Sequence, residues 1–474
     1  MSNSTSTSPG DRAAEDPPPR DPSAASTPAD QDVPAAAPLP PAPGDPDHHT
    51  PPPPPAPQPP PRTPAPTRTT APTPAARTPT PRLHGIDLAR GLAVLGMFVI
   101  HVGIGWTLPD GTNPLTDLVS GRAAALFALL AGVSIALISG GPTPATGHAM
   151  GIALWRVVIR GLAMLPLGVA LTMLDTPIAV ILAYYAVFFV LAVPLIDERW
   201  RIVAGCAAAL ALAGPTASFW LRRMIDQGPL RDAAATLNTY DPLVAWSGSG
   251  LLDLLLTGSY PALTWLPYVL AGLAIGRLNL RSIRVRATLT AAGAALAATA
   301  YTASWAAMDL MGGRQRLDAT YNAAAMADHG GHPDTASAFA TGFTGTIPTH
   351  DWVWLLTALP HSGTPLEILG AGGTAIAALG LCLLLGDLLR VPAYPIASVG
   401  ALALTVYVAH VLLIWAAETA LLEATPLAFL TADLPATVLW GSLALATLWR
   451  LLLGRGPLEG PLHALSTWAA RRIP

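Results

Sequence analysis

RLHGIDLARGLAVLGMFVIHVG, running from Arg82 to Gly103, decides the fold. From Leu88 the stretch is apolar, interrupted only by Arg90 and His101. Roughly 20 such residues are needed for a helix to cross the hydrocarbon core of a bilayer. Reading outward, comparable runs recur to the end of the chain. Ten segments qualify: 88–107, 119–139, 153–174, 177–196, 200–221, 262–278, 286–309, 364–386, 396–420 and 435–454. Barrel strands would be shorter and would alternate in polarity. The expected fold is therefore all-α, a polytopic transmembrane helical bundle of about ten helices in a lipid bilayer. One further apolar stretch, Leu243–Thr257, is too short to span and reads as an interfacial or re-entrant piece.

Composition agrees. Hydrophobic residues make up 51% of the 474-residue chain and charged residues only 12%, about half the share of a soluble domain. Net charge is −3, which gives nucleic-acid binding no electrostatic basis. Cys206 and Cys382 both sit in apolar runs and supply neither a disulfide framework nor a metal site. Residues 1–81 differ from the rest. They hold 27 of the 50 prolines and too little apolar surface to offset their ordering entropy. We read 1–81 as a disordered Pro/Ala/Thr-rich cytoplasmic tail and 82–474 as the membrane domain. All 26 basic residues are Arg. Most lie before the first segment or in every second connection, and Arg455, Arg471 and Arg472 follow the last. With ten spans, that pattern puts both termini in the cytoplasm of a plasma-membrane protein.

Ionisable groups inside membrane segments are costly and mark sites. Asp87, Arg90 and His101 fall on one narrow stripe of the first helix, with His101 roughly 16 Å along the axis from Arg90. Arg122, Glu367 and His410 reach a depth similar to that of His101, and His361 stands at the mouth of the eighth segment. A His near a carboxylate and an Arg makes an acid/base set with an anion clamp. We take His101 and Glu367 as candidate catalytic groups, and Asp87, Arg90, Arg122, His361 and His410 as candidate substrate-binding groups. His329, His332 and His350 have no regular ligand spacing, so no metal is expected. Glycines at 91, 96, 121, 132, 370, 372 and 373 suit close helix packing, within the chain or between copies in a homo-oligomer.

The opening stretch, with Asp87, Arg90 and Gly91 as a D-x-x-R-G motif, resembles the start of the heparan-α-glucosaminide N-acetyltransferase-like membrane proteins and of the YeiB-like bacterial membrane proteins. LTDLVSGRAAALFALLAGVS, Leu115 to Ser134, resembles the next block of both. Later stretches resemble the YeiB-like pattern: HSGTPLEILGAGGTAIAALG from His361, GALALTVYVAH ending at His410, and RGPLEGPL from Arg455. The resemblance implies a transmembrane acyltransferase, with acyl-CoA (acetyl-CoA) as donor and a small-molecule or cell-envelope glycan as acceptor. His101 occupies the place of a functional polar residue at the outer end of the family's first helix. The loop Thr107–Pro114 holds no counterpart of the family's second functional His. The alternative reading is a transporter or lipid flippase whose buried polar groups line a pathway.

Overall fold

The structure, a computed structural model, describes residues 83–109, 111–327, 339 and 342–473. The tail and the pair His329 and His332 lie outside the described residues. All regular structure among the described residues is helical. Helix α1 (His84–Val102) ends at Gly103, whose φ of 67° lets its amide bond the Val99 carbonyl; a residue without Cβ suits that left-handed cap. Helices α2 (Pro114–Val119) and α3 (Arg122–Ile138) follow, then α4 (Gly147–Thr172), α5 (Leu182–Ala192) and α6 (Trp200–Gln227). Two short helices, α7 (Arg231–Tyr240) and α8 (Pro242–Ser247), lead to α9 (Ala262–Gly276), α10 (Ile283–Trp305) and α11 (Gly313–Ala327). The chain closes with α12 (Pro365–Leu385), α13 (Tyr394–Ala401), α14 (Ala403–Glu418), α15 (Ser442–Leu452) and α16 (Glu459–Ala470).

Each of the ten expected segments contains helix, although 103–107 and 177–181 lie outside it. By length and composition six helices can cross a membrane alone: α1, the α2–α3 stretch Pro114–Ile138, α4, α6, α12 and Leu434–Leu452, which contains α15. A bent pair, α13 and α14, adds a seventh. Leu182–Leu195 and α9 are shorter apolar helices, buried on nearly every side. Helix α10 carries Arg284 and Arg286 in its first turn.

Glycines set the closest crossings. A Cβ on Gly132 of α3 would fall 1.8 Å from the Val269 carbonyl oxygen of α9, and one on Gly272 of α9 would fall 1.8 Å from the Leu129 oxygen. The α10–α12 contact is closed the same way by Gly293 and Gly373. Gly91 of α1 meets the Ile396 carbonyl, and Gly400 of α13 meets that of Asp87. Without a Cβ the backbones touch directly, which gains dispersion contacts where no hydrophobic force between helices exists.

Several boundaries differ from the sequence reading, each for a local reason. Segment 396–420 is not one helix; it breaks at Leu402 and turns through 84°. Segment 119–139 is interrupted at Ser120 and Gly121, where φ is +69°. Helix α6 runs on to Gln227, so Arg222 belongs to its last turns and bonds the Ile347 carbonyl at 2.5 Å. The stretch Leu243–Thr257 divides into the end of α8 and a π-turn at Asp253–Thr257. Helix α16, which follows the last span, packs on α4. Over α6, α11 and the 342–364 connection lies a second small core of Phe219, Met308, Leu317, Ile347, Val353 and Trp354.

Candidate active site

The outer end of α1 meets the middle of α14. His101 Nδ1 lies 3.0 Å from His410 Nε2, with the two rings within 3° of parallel. The other nitrogen of His410, Nδ1, bonds the Tyr407 carbonyl one turn back. A carbonyl oxygen only accepts, so His410 Nδ1 carries a proton. In the neutral ring Nε2 then carries a lone pair and accepts from His101 Nδ1–H. The lone pair of His101 is thereby placed on Nε2, which has no protein partner among the described residues. His101 is partly exposed, whereas His410 is 2% exposed. His410 is further fixed by Phe98 and Tyr407, with ring centroids at 4.8 and 5.0 Å. Tyr407 is held in turn, its hydroxyl accepting the Ile181 amide at 3.3 Å.

His361 lies close enough to His101 to act on it electrostatically. It precedes α12 and has φ of +55°, one of three non-glycine residues with positive φ among those described. Such backbone conformations are held only where the surroundings impose them. Here Pro360 and His361 offer their carbonyls to the Phe343 and Gly345 amides at 3.0 and 2.9 Å. The His361 ring lies against Trp265 and Tyr260, each centroid at 5.7 Å. Trp265 leads on to Tyr268 at 5.2 Å, and the Tyr268 hydroxyl donates to Glu367 Oε2 at 3.4 Å. Glu367 is buried in the first turn of α12, and its Oε1 has no partner. Arg122 exerts its charge on Glu367, but its hydrogen bonds go elsewhere. It donates to the carbonyls of Asp117 and Leu118 at 2.6 and 3.0 Å and to the Tyr301 hydroxyl at 2.9 Å.

Asp87 and Arg90 sit at the opposite end of α1. Asp87 is buried between two guanidinium groups, Arg90 at 3.6 Å and Arg450 at 3.4 Å. Both arginines reach the end of the half-helix α13: Arg90 donates to the Gly400 carbonyl at 3.4 Å and Arg450 to that of Ala397 at 2.8 Å. Those carbonyls belong to a helix C-terminus, where orphan acceptors and the negative pole of the dipole favour cations. The D-x-x-R-G motif thus builds a joint: Asp87 holds two arginines, they cap α13, and Gly91 lets α13 approach. Arg90 also donates to Ser134 Oγ at 3.0 Å and lines a cavity of about 360 Å³. Phe127, Leu182, Tyr185 and Phe189 form its apolar wall, with Arg160 and Glu459 beside it. From that wall Tyr185 stacks on Phe127 at 5.7 Å and Phe127 on Tyr407 at 6.5 Å. A row of aromatic rings therefore leads from the cavity wall through Tyr407 to His410.

The structure thus joins His101 directly to His410, places His361 beside them, and puts Glu367 with Tyr268 on a neighbouring branch. It sets Asp87 and Arg90 apart at the other end of α1. Arg122 stands among the α2 carbonyls and Tyr301. Two participants were not singled out from sequence. Arg450 looks like an interfacial anchor near the end of an apolar helix, and Tyr407 reads as one more core aromatic. Among the described residues no cluster of His, Cys, Asp or Glu has the geometry of a metal site. His350 accepts the Trp354 indole N–H at 3.3 Å.

Residues 82–308 match the family model described as heparan-alpha-glucosaminide N-acetyltransferase, catalytic. The matched stretch covers α1 to α10 and contains Asp87, Arg90, His101 and Arg122. His361, Glu367, His410 and Arg450 follow it. No curated protein matches the chain.

Proposed function

From the match of residues 82–308 to the heparan-alpha-glucosaminide N-acetyltransferase catalytic model, we infer that the protein transfers an acyl group, acetyl in the simplest case. The donor is an acyl-CoA thioester, and the acceptor is an amine or hydroxyl of a cell-envelope or secreted glycan. Both termini lie on the cytoplasmic side of the plasma membrane, on the strength of the arginine distribution. The donor then enters through the cavity beside Arg90, and the acceptor meets His101 from the outer side. The observation that carries this reading is the hydrogen-bond order Tyr407 carbonyl, His410, His101, which leaves a basic lone pair on His101 Nε2.

In the reaction, His101 Nε2 takes the proton from the acceptor nitrogen or oxygen as that atom attacks the thioester carbonyl. The tetrahedral centre collapses with cleavage of the C–S bond, and the sulfur leaves with the proton as free thiol. His410 steadies the imidazolium formed on His101, because its Nε2 accepts from the protonated ring. Glu367 has no hydrogen bond to either imidazole. We assign it, with Tyr268, Trp265 and His361, to positioning the acceptor side of the site.

The test is thiol release from acetyl-CoA by the purified protein in proteoliposomes, with amino sugars and envelope glycans as acceptors. His101→Ala and His101→Gln should fold and insert normally yet lower turnover roughly 10²-fold or more. Full turnover in well-folded His101→Ala removes the base. No thiol release by the unaltered protein with any acceptor removes acyl transfer itself and favours the transport reading.

A further inference from the structure

On the side of the cavity away from the histidines, positive charge accumulates without an acidic counterpart. Arg160 of α4 forms part of the wall. Its Nε donates to Ser466 Oγ at 3.2 Å and its Nη2 reaches His463 Nδ1 at 3.2 Å, both on α16. Arg156 lies one turn earlier on α4, with a buried Nε that has no partner. Arg160 feels the charges of Arg156 and Arg455, and Arg156 feels that of Arg471. Burial, then the fields of Arg455, Arg160 and Arg156, hold the His463 imidazole below its ordinary range. Neutral His463 can accordingly accept the Arg160 N–H. Among the described residues no carboxylate lies within 4.0 Å of Arg156, Arg160, Arg455 or Arg471. The cavity's one acid, Glu459, is already held by the Thr405 amide and hydroxyl at 2.9 and 2.6 Å.

Arginines at a cytoplasmic surface follow from topology alone. Arg160 is different, because it projects from within a spanning helix into a cavity wall. Like charges converging there without acids repel one another, and a bound anion relieves that repulsion. We propose that Arg156, Arg160, Arg455 and Arg471, brought together by the packing of α16 on α4, form the binding site for the phosphate groups of the donor nucleotide. The inference rests on the acyl-CoA reading above and adds to it a site in which Arg156 and Arg160 of α4, within the matched stretch 82–308, meet Arg455 and Arg471, which flank α16 beyond it. The adjoining apolar wall of Phe127, Leu182 and Tyr185 would then take the uncharged arm that carries the thioester. Phosphate chemistry is also offered by anionic lipid headgroups, and the test separates the two.

Binding of CoA and of dephospho-CoA is measured by calorimetry on the full chain in phosphatidylcholine nanodiscs, then in nanodiscs containing phosphatidylglycerol. The unaltered protein should bind CoA in phosphatidylcholine. Arg455→Ala and Arg471→Ala, both at exposed positions, should each weaken binding roughly tenfold, and dephospho-CoA should bind more weakly than CoA. Arg160→Gln should weaken it further; thermal melting of each variant checks that α16 remains docked. Unchanged CoA affinity in a well-folded Arg455→Ala/Arg471→Ala double variant overturns the proposal. So does an absence of CoA binding together with preferential retention of phosphatidylglycerol, which would make this a headgroup site. Thiol release, measured separately, shows whether acyl transfer survives when the phosphate site fails.

Discussion

At the scale of single residues, the acyl-transfer reading turns on where two protons sit. His410 donates from Nδ1 to its own helix backbone, and that one bond dictates which nitrogen of His101 is basic. Removing His410 frees His101 Nδ1 and lets the ring rotate and change tautomer. His410→Ala should therefore lower thiol release roughly tenfold to a hundredfold, less than His101→Ala, since the base itself remains. His101→Ala/His410→Ala should be no slower than His101→Ala alone, because the two act as a unit; additive losses in the double variant would separate them. Both histidines were legible in the sequence as polar groups in apolar helices. Their pairing was not, because 309 residues separate them and helical phase relates only residues of one helix. Glu367 and Arg122 show the same limit. Depth placed them alike, but the Asp117 and Leu118 carbonyls and the Tyr301 hydroxyl take the hydrogen bonds of Arg122.

At the scale of elements, the broken helix α13–α14 organises both ends of the site. The break leaves α13 with exposed carbonyls inside the membrane domain, where each unmet acceptor is costly. Arg90 meets one of them at Gly400, Arg450 bonds the Ala397 carbonyl in the last turns, and Asp87 balances both cations. Asp87→Asn keeps the shape but leaves two guanidinium groups without their carboxylate. It should destabilise the protein by about 3 kcal/mol, the usual cost of breaking a buried ion pair, read as a fall in melting temperature in nanodiscs. A melting temperature unchanged from that of the unaltered protein would show that the joint does not depend on the charge. Hydropathy found the helices because each needs an apolar stretch to cross. It missed the break because Leu402 lies in unbroken apolar sequence, and the arginine that meets the end of α13 lies 48 residues further on, at position 450. It passed over α16 because that helix lies outside the spanning runs and owes its place to α4.

At the scale of the whole molecule, ten crossings with this arginine distribution would give one orientation, which we propose. A reporter fused after Pro474 should respond as cytoplasmic, and one inserted near Gly330 as external. A cytoplasmic response at Gly330 would change the number of crossings and reverse which side admits the donor. The chemistry is also divided along the chain. His101 lies within the stretch that matches the family model, whereas His410, Arg450 and α16 all follow it. A polypeptide ending after α10 would own a base with no fixed tautomer, a motif arginine with no half-helix to cap, and a cavity open where α14 and α16 should close it. On the acyl-transfer reading, the matched stretch alone would therefore lack the partners that order its site. On that reading the closing helices work as a covalently tethered activator, and substitutions in them should silence turnover without altering one residue of the matched stretch.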